Sequence, residues 1–239
     1  MARTYLVRGM LAGLVAGLLA IAFAKIVAEP QIASAEHFEA RRAAQSGRPG
    51  DRPLVSRDVQ DTVGLGAGVA VTGVALGGLY GLVFGGIYRR VGNADGRTTA
   101  AGLSAASFIA LFVVPFLKYP ANPPAIGNPD TIGRRTALYF LMVAVGVLSV
   151  VLAVIVHRRS LARWPAWYSR LAALGVFLGV VTICYVVMPG IDEVPVGFPA
   201  SVLWKFRLAS AGTELVLWAA LGLIFGALTD RSESRPVRA

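Results

Sequence analysis

Glu214 stands in "ASAGTELVLWAALG" (209–222), a carboxylate inside an otherwise apolar run. An ionisable group in such a run is costly and rarely incidental, so it either meets a cation or serves an ion path as ligand or proton carrier. Lys25 lies at comparable depth in the outer part of another apolar run. It could pair with Glu214, or snorkel to the interface. A second group is "EHFE", Glu36 to Glu39, around His37, one of two histidines. Imidazole beside carboxylates suits a borderline divalent metal such as cobalt, nickel or zinc. On one helix, however, Glu36 and Glu39 cannot both share a face with His37. His157, opening "HRRS", reads as an interfacial anchor, while Met142, Met188 and Cys184 read as packing residues.

Other chemistry is missing from the sequence. There is no G-x-x-x-x-G-K-[ST], no H-E-x-x-H and no G-x-S-x-G, and "GLGAGV" lacks the last glycine of a dinucleotide fingerprint. Nothing pairs a nucleophile with a base, so no enzyme is expected, and no permanently bound cofactor. The lone cysteine excludes an intrachain disulfide and a multi-cysteine zinc site.

The elements that must position these groups are helices in a membrane. The chain is 56% hydrophobic and only 15% charged, whereas soluble domains are nearer a quarter charged. Apolar runs at roughly 8–28, 62–88, 98–117, 136–156, 169–189 and 208–228 are each about long enough to cross the bilayer. No period-two alternation suggests a barrel, so the fold class is all-α: a polytopic bundle of six transmembrane helices forming one membrane domain over 1–239. The first run follows a basic start and has cleavage-like sites at Ala22–Ala24 and Ala33–Ala35. Its length favours retention as a span.

Arginines cluster beside the helix ends, and their density places both termini on the cytoplasmic side. The formal charge of +10 is thereby assigned to orientation and anionic lipid rather than to nucleic acid. On this reading 29–61 is an outer polar loop and 229–239 a cytoplasmic tail. Nearly every carboxylate outside the membrane falls in the outer loops, among them Glu29, Asp58, Asp61, Asp130 and Glu193. These either cap helix starts, as Asp130 could for the fourth span, or form an acidic mouth that gathers cations. Pro115 and Pro120 are expected to end the third helix, and Pro129 with Asp130 to begin the fourth. The proline-rich loop between them reads as a rigid lid or staple.

Glycines recur every four residues: Gly9, Gly13 and Gly17 in the first span, and Gly73, Gly77, Gly81 and Gly85 in the second. Gly175/Gly179 and Gly222/Gly226 repeat the spacing in the fifth and sixth. Such stripes let helix backbones approach closely, within the bundle, in a homo-oligomer or against a partner helix. Cations gathered outside would then pass along glycine-lined seams near Glu214.

Several phrases together resemble the CbtA family of bacterial membrane proteins, probable cobalt transporter subunits. They are Glu29-Pro30 after a glycine-rich first span, "LVSRDVQ" (54–60), "VPFLKYPANPPAIGNPDTIGRRTALY" (114–139) and "DEVPVGFPASVLWKFRLAS" (192–210). The likeness runs almost end to end, apart from 40–53 and the tail. It implies a multi-pass protein of the bacterial inner membrane, with cobalt as substrate for cobalamin synthesis. It also implies a small single-span partner, CbtB, with a histidine-rich end. Glu29, Asp58, Lys118, Tyr119, Asn122, Asp130, Arg134, Arg135, Glu193 and Arg207 carry the motifs, without assigned roles. Alternatives are a scaffold for a small metal-binding partner, or a transporter of another ion or solute with Arg134, Arg135 and Arg207 binding an anion.

Overall fold

The computed structural model describes residues 2–45, 65–91, 94–124 and 126–233. The elements are α1 (Ala2–Val27), α2 (Glu29–Gln45), α3 (Leu65–Ile87), α4 (Gly96–Ser107), a π-helical turn (Phe108–Val113), α5 (Val114–Lys118), a 3₁₀ turn (Pro129–Thr131), α6 (Ile132–Ser160), α7 (Ala166–Val187) and α8 (Ala200–Glu233). No strand occurs among the described residues. Six helical stretches are long and apolar enough to span a membrane: 2–27, 66–87, 96–118, 132–160, 166–187 and 200–230. Many large apolar side chains point outward, including Leu79, Leu148, Leu174, Ile183 and Leu223. That is expected where lipid replaces water as solvent. Ser149, Thr213 and Thr229 return their hydroxyls to the carbonyl one turn back at 2.6–2.9 Å, so these hydroxyls are satisfied inside the spans.

The chain groups into two compact units, one of residues 1–105, 123–125 and 198–239 and the other of 106–122 and 126–197. In the first, α1 and α3 run antiparallel in backbone contact along the glycines. A Cβ placed on Gly13 would lie 2.7 Å from the Gly77 Cα, and one on Gly77 the same distance from the Gly13 Cα. The glycine stripe is therefore a closed packing seam. At these positions the space a side chain would take is filled by the opposing backbone. Phe84 and Phe225 form the large fully buried side chains at one end, with Tyr5, Tyr80 and Tyr88 packed around them edge-on or stacked. Asp95 starts α4 by accepting the Thr98 amide at 2.7 Å.

Two boundaries differ from the sequence expectation. The stretch read as a polar loop from residue 29 is helical as far as Gln45, since only the first turn of a helix tolerates proline and Pro30 sits there. Ala35 is buried, and Phe38 meets Phe198 edge-on at 5.1 Å. The rest of that loop, with Asp58 and Asp61, lies outside the described residues.

In the second unit, Pro115 does not end the third span. It lies near the start of α5, which continues to Lys118. Proline cannot bond the carbonyl four residues back, and its ring crowds that carbonyl. The chain answers with the preceding π turn, in which the Val114 amide reaches Ile109 O. Gly146 of α6 faces the bulge: a Cβ there would be 3.1 Å from the Ala110 Cα. Tyr139 donates to the carbonyl of Leu111, the residue four before the proline, at 3.4 Å. Asp130 does not cap α6. The capping position is Thr131, without a side-chain cap bond, because Thr131 Oγ1 is engaged by Glu193 instead.

Candidate functional site

Two constellations emerge, one in each unit. In the first unit, Glu214 lies inside α8, with Trp218 one turn along the same helix. Trp218 is buried at 5% exposure, yet its Nε1 meets no partner in hydrogen-bonding geometry. The carbonyl of Trp218 is taken by Ser104 Oγ of α4 at 2.5 Å. Tyr80 of α3 stands beside Ser104 and donates to Ala100 O at 2.6 Å. A buried polar column thus crosses three helices, from Tyr80 past Ser104 to the Trp218 carbonyl. Lys25 lines a different feature, a cavity of about 310 Å³ together with Glu29, Thr72, Gly73, Thr213 and Leu217. The surface of that cavity is almost wholly apolar, so Lys25 and Glu29 border it chiefly with their hydrocarbon portions.

His37, Glu36 and Glu39 all lie on α2. His37 is exposed, whereas Glu36 and Glu39 are half-buried. Among the described residues, no three His, Cys, Asp or Glu side chains come together as a metal site. One helix cannot turn 36, 37 and 39 toward one point, so the trio offers at most two ligands.

In the second unit, the structure assembles four of the family-motif residues into one lock. Lys118 Nζ donates to Tyr185 O at 2.8 Å, closing the last turn of α7 with a positive charge. Tyr185 Oη returns to Val114 O at 2.5 Å, and Tyr119 Oη reaches Pro189 O at 2.8 Å. Burial pushes the Tyr119 phenol up, with Arg134 opposing. Beyond α7, Glu193 accepts from Thr131 Oγ1 at 2.6 Å and from the Asn128 amide at 3.1 Å. Arg135 lies 3.3 Å from the same carboxylate. The Thr131 hydroxyl and the Asn128 amide, ahead of Arg135 and Arg134, hold the Glu193 carboxyl below its ordinary range, with desolvation opposing. Gly127 permits this: its φ is +133°, and Arg135 Nη1 lies 2.5 Å from where a Cβ would be.

Asp130 and Arg134 are exposed at the edge of the lock. Asn122 lies in the same unit, and Arg207 belongs to the first unit. Sequence reading missed Trp218, Ser104, Tyr80, Thr131 and Tyr185. Trp218 alone was within reach, since it sits four residues after Glu214 and so shares its helix face.

Comparison with known families decides the class. The family described as "Probable cobalt transporter subunit (CbtA)" matches residues 2–230. The chain belongs to the CbtA family. It is a membrane subunit of that transporter class, with six helices able to span the bilayer. No curated protein and no solved structure matches it. The CbtA assignment covers both constellations and all six spans.

Proposed function

We propose that this CbtA chain is the subunit through which cobalt crosses a bacterial inner membrane to supply cobalamin synthesis. Both termini would be cytoplasmic, and a small single-span CbtB-like subunit would bring the metal-selecting ligands. One observation carries this reading: among the described residues Glu214 is the only carboxylate well inside the spans, and it is not part of any three-ligand cluster there. Such a chain can conduct a cation, but it is poorly equipped to choose one. His37, with Glu36 and Glu39 beside it, would serve as a first contact for the metal. Cobalt accumulation should fall in cells lacking the chain and return on re-expression; unchanged accumulation would sink the proposal.

A scaffold role has one observation in its favour. A Cβ added at Gly175 or Gly179 of α7 would meet nothing within 4 Å, so this stripe stands open for a partner helix or a second copy of the chain. Purified protein in vesicles separates the two roles. A transporter moves cobalt, alone or with its partner, while a scaffold moves none.

A further inference from the structure

The cavity bordered by Lys25 and Glu29 lies wholly within the first unit, among α1, α2, α3 and α8. Its floor is made by what α1 lacks. Gly17, Ala20, Ala24 and Ala28 recur at helical spacing, so they share one face and leave a trough along it. Ala28 continues that face, since its amide bonds Ala24 O at 2.7 Å. Val69 and Leu76 of α3 and Leu217 of α8 wall the trough. At about 1.5 Å per residue, Gly17 to Ala28 spans about 16 Å. One leaflet of the hydrocarbon core is about 15 Å deep. The exposed side chains of Lys25 and Glu29 stand at one end only, where α1 passes into α2.

Size and chemistry eliminate most occupants. The interior offers two hydroxyls, Thr72 and Thr213, and Thr213 gives its proton to Ala209 O at 2.9 Å. That is far from the shell of oxygen ligands a divalent cation needs. Water does not settle in a cavity lined this way. A partner helix or a helix of a second copy is about 10 Å across, and it needs several times the 310 Å³ enclosed here. A single hydrocarbon chain fits, because it is apolar, narrow and as long as the trough. Its polar end then meets a lysine ammonium and a carboxylate. A phosphodiester beside a primary ammonium complements that pair.

We propose that this cavity binds one phosphatidylethanolamine molecule. One acyl chain lies along the α1 trough, with the phosphate at Lys25 and the ethanolamine ammonium at Glu29. On the proposed orientation the lipid belongs to the outer leaflet. Its chain supplies the contacts that the small residues of α1 leave unmade, so α2, α3 and α8 pack on lipid as well as on protein.

The test uses the full chain in mild detergent, exchanged with vesicles of defined phospholipid and read by native mass spectrometry. The wild type should retain one phosphatidylethanolamine per chain. It should prefer that lipid to phosphatidylcholine, whose methylated ammonium has no N–H for Glu29, and to phosphatidylglycerol, which has no ammonium. Ala24→Leu fills the trough and should lower retention about tenfold, the loss expected when roughly two buried methylenes are displaced. Glu29→Gln should reduce the preference for phosphatidylethanolamine, and Lys25→Gln should weaken retention of all three lipids. Both of these side chains are exposed, so their replacement leaves the packing intact even if Ala24→Leu does not fold. A phosphatidylethanolamine with a diazirine midway along one chain should, on illumination, label 17–28 and 69–76 more than the outward-facing Leu148 and Ile183.

Labelling spread evenly over the outward apolar faces overturns the proposal, because it marks ordinary surrounding lipid. So does equal retention of phosphatidylethanolamine and phosphatidylcholine, and so does retention unmoved in both Ala24→Leu and Lys25→Gln. A second protein chain crosslinked at the trough in place of lipid overturns it as well. Retention is read without cobalt, so failure to move cobalt across vesicles counts against the transport reading alone.

Discussion

Glu193 shows how a single side chain can tie two distant loops together. Its carboxylate is the common acceptor for Thr131, the Asn128 amide and Arg135. Because its folded-state pKa is lowered, its contribution to stability is fully present above the ordinary value of 4.5 and is lost as pH falls through the lowered one. Thermal unfolding in detergent should therefore weaken at the acidic end in the wild type, and Glu193→Gln should flatten that dependence. At neutral pH the variant should be less stable than the wild type. Lys118 acts at the same scale. Lys118→Met leaves Tyr185 O without its charged donor and should cost about 1–2 kcal/mol, read as a lower unfolding midpoint. Tyr185→Phe removes the returning bond and should cost about 1 kcal/mol.

Among the helices, the glycine stripes that look alike in sequence have different fates. The α1 and α3 stripes meet backbone to backbone, Gly222 and Gly226 lean on α4, and Gly175 and Gly179 face open space. Gly77→Ala must push α1 and α3 apart and should destabilise the isolated protein by about 1–3 kcal/mol or more. Gly175→Ala should leave that stability unchanged while weakening association with any partner helix, as measured by co-purification from membranes. The third span makes a related point. Proline at 115 suggested a helix end, yet a π turn and the room left by Gly146 carry the helix through it. A local rule for proline holds only while the neighbours leave the backbone no other arrangement.

For the molecule as a whole, the proposed orientation has both termini in the cytoplasm, a reading that rests on the even number of spans and on the density of arginines beside the helix ends. Single cysteines at the exposed positions Asp192 and Ala162, in a Cys184→Ala background, should test it. A membrane-impermeant thiol reagent added to intact cells should label the first and spare the second. The membrane character and the number of spans were legible in the sequence because span length and apolarity are properties of contiguous residues, and every one of the six runs became a helix. The CbtA phrases were legible for the same reason, as strings. Glu214 could be singled out because one charge in an apolar run needs no partner to be noticed. What the sequence could not supply were pairings across long separations: Asn128 with Glu193, Lys118 with Tyr185, Ser104 with Trp218. Each depends on the register between helices and on side-chain direction, which no local pattern encodes. The tertiary structure alone decided which glycine seam closes and why Pro115 is tolerated, because those outcomes follow from how separate helices fill the same space.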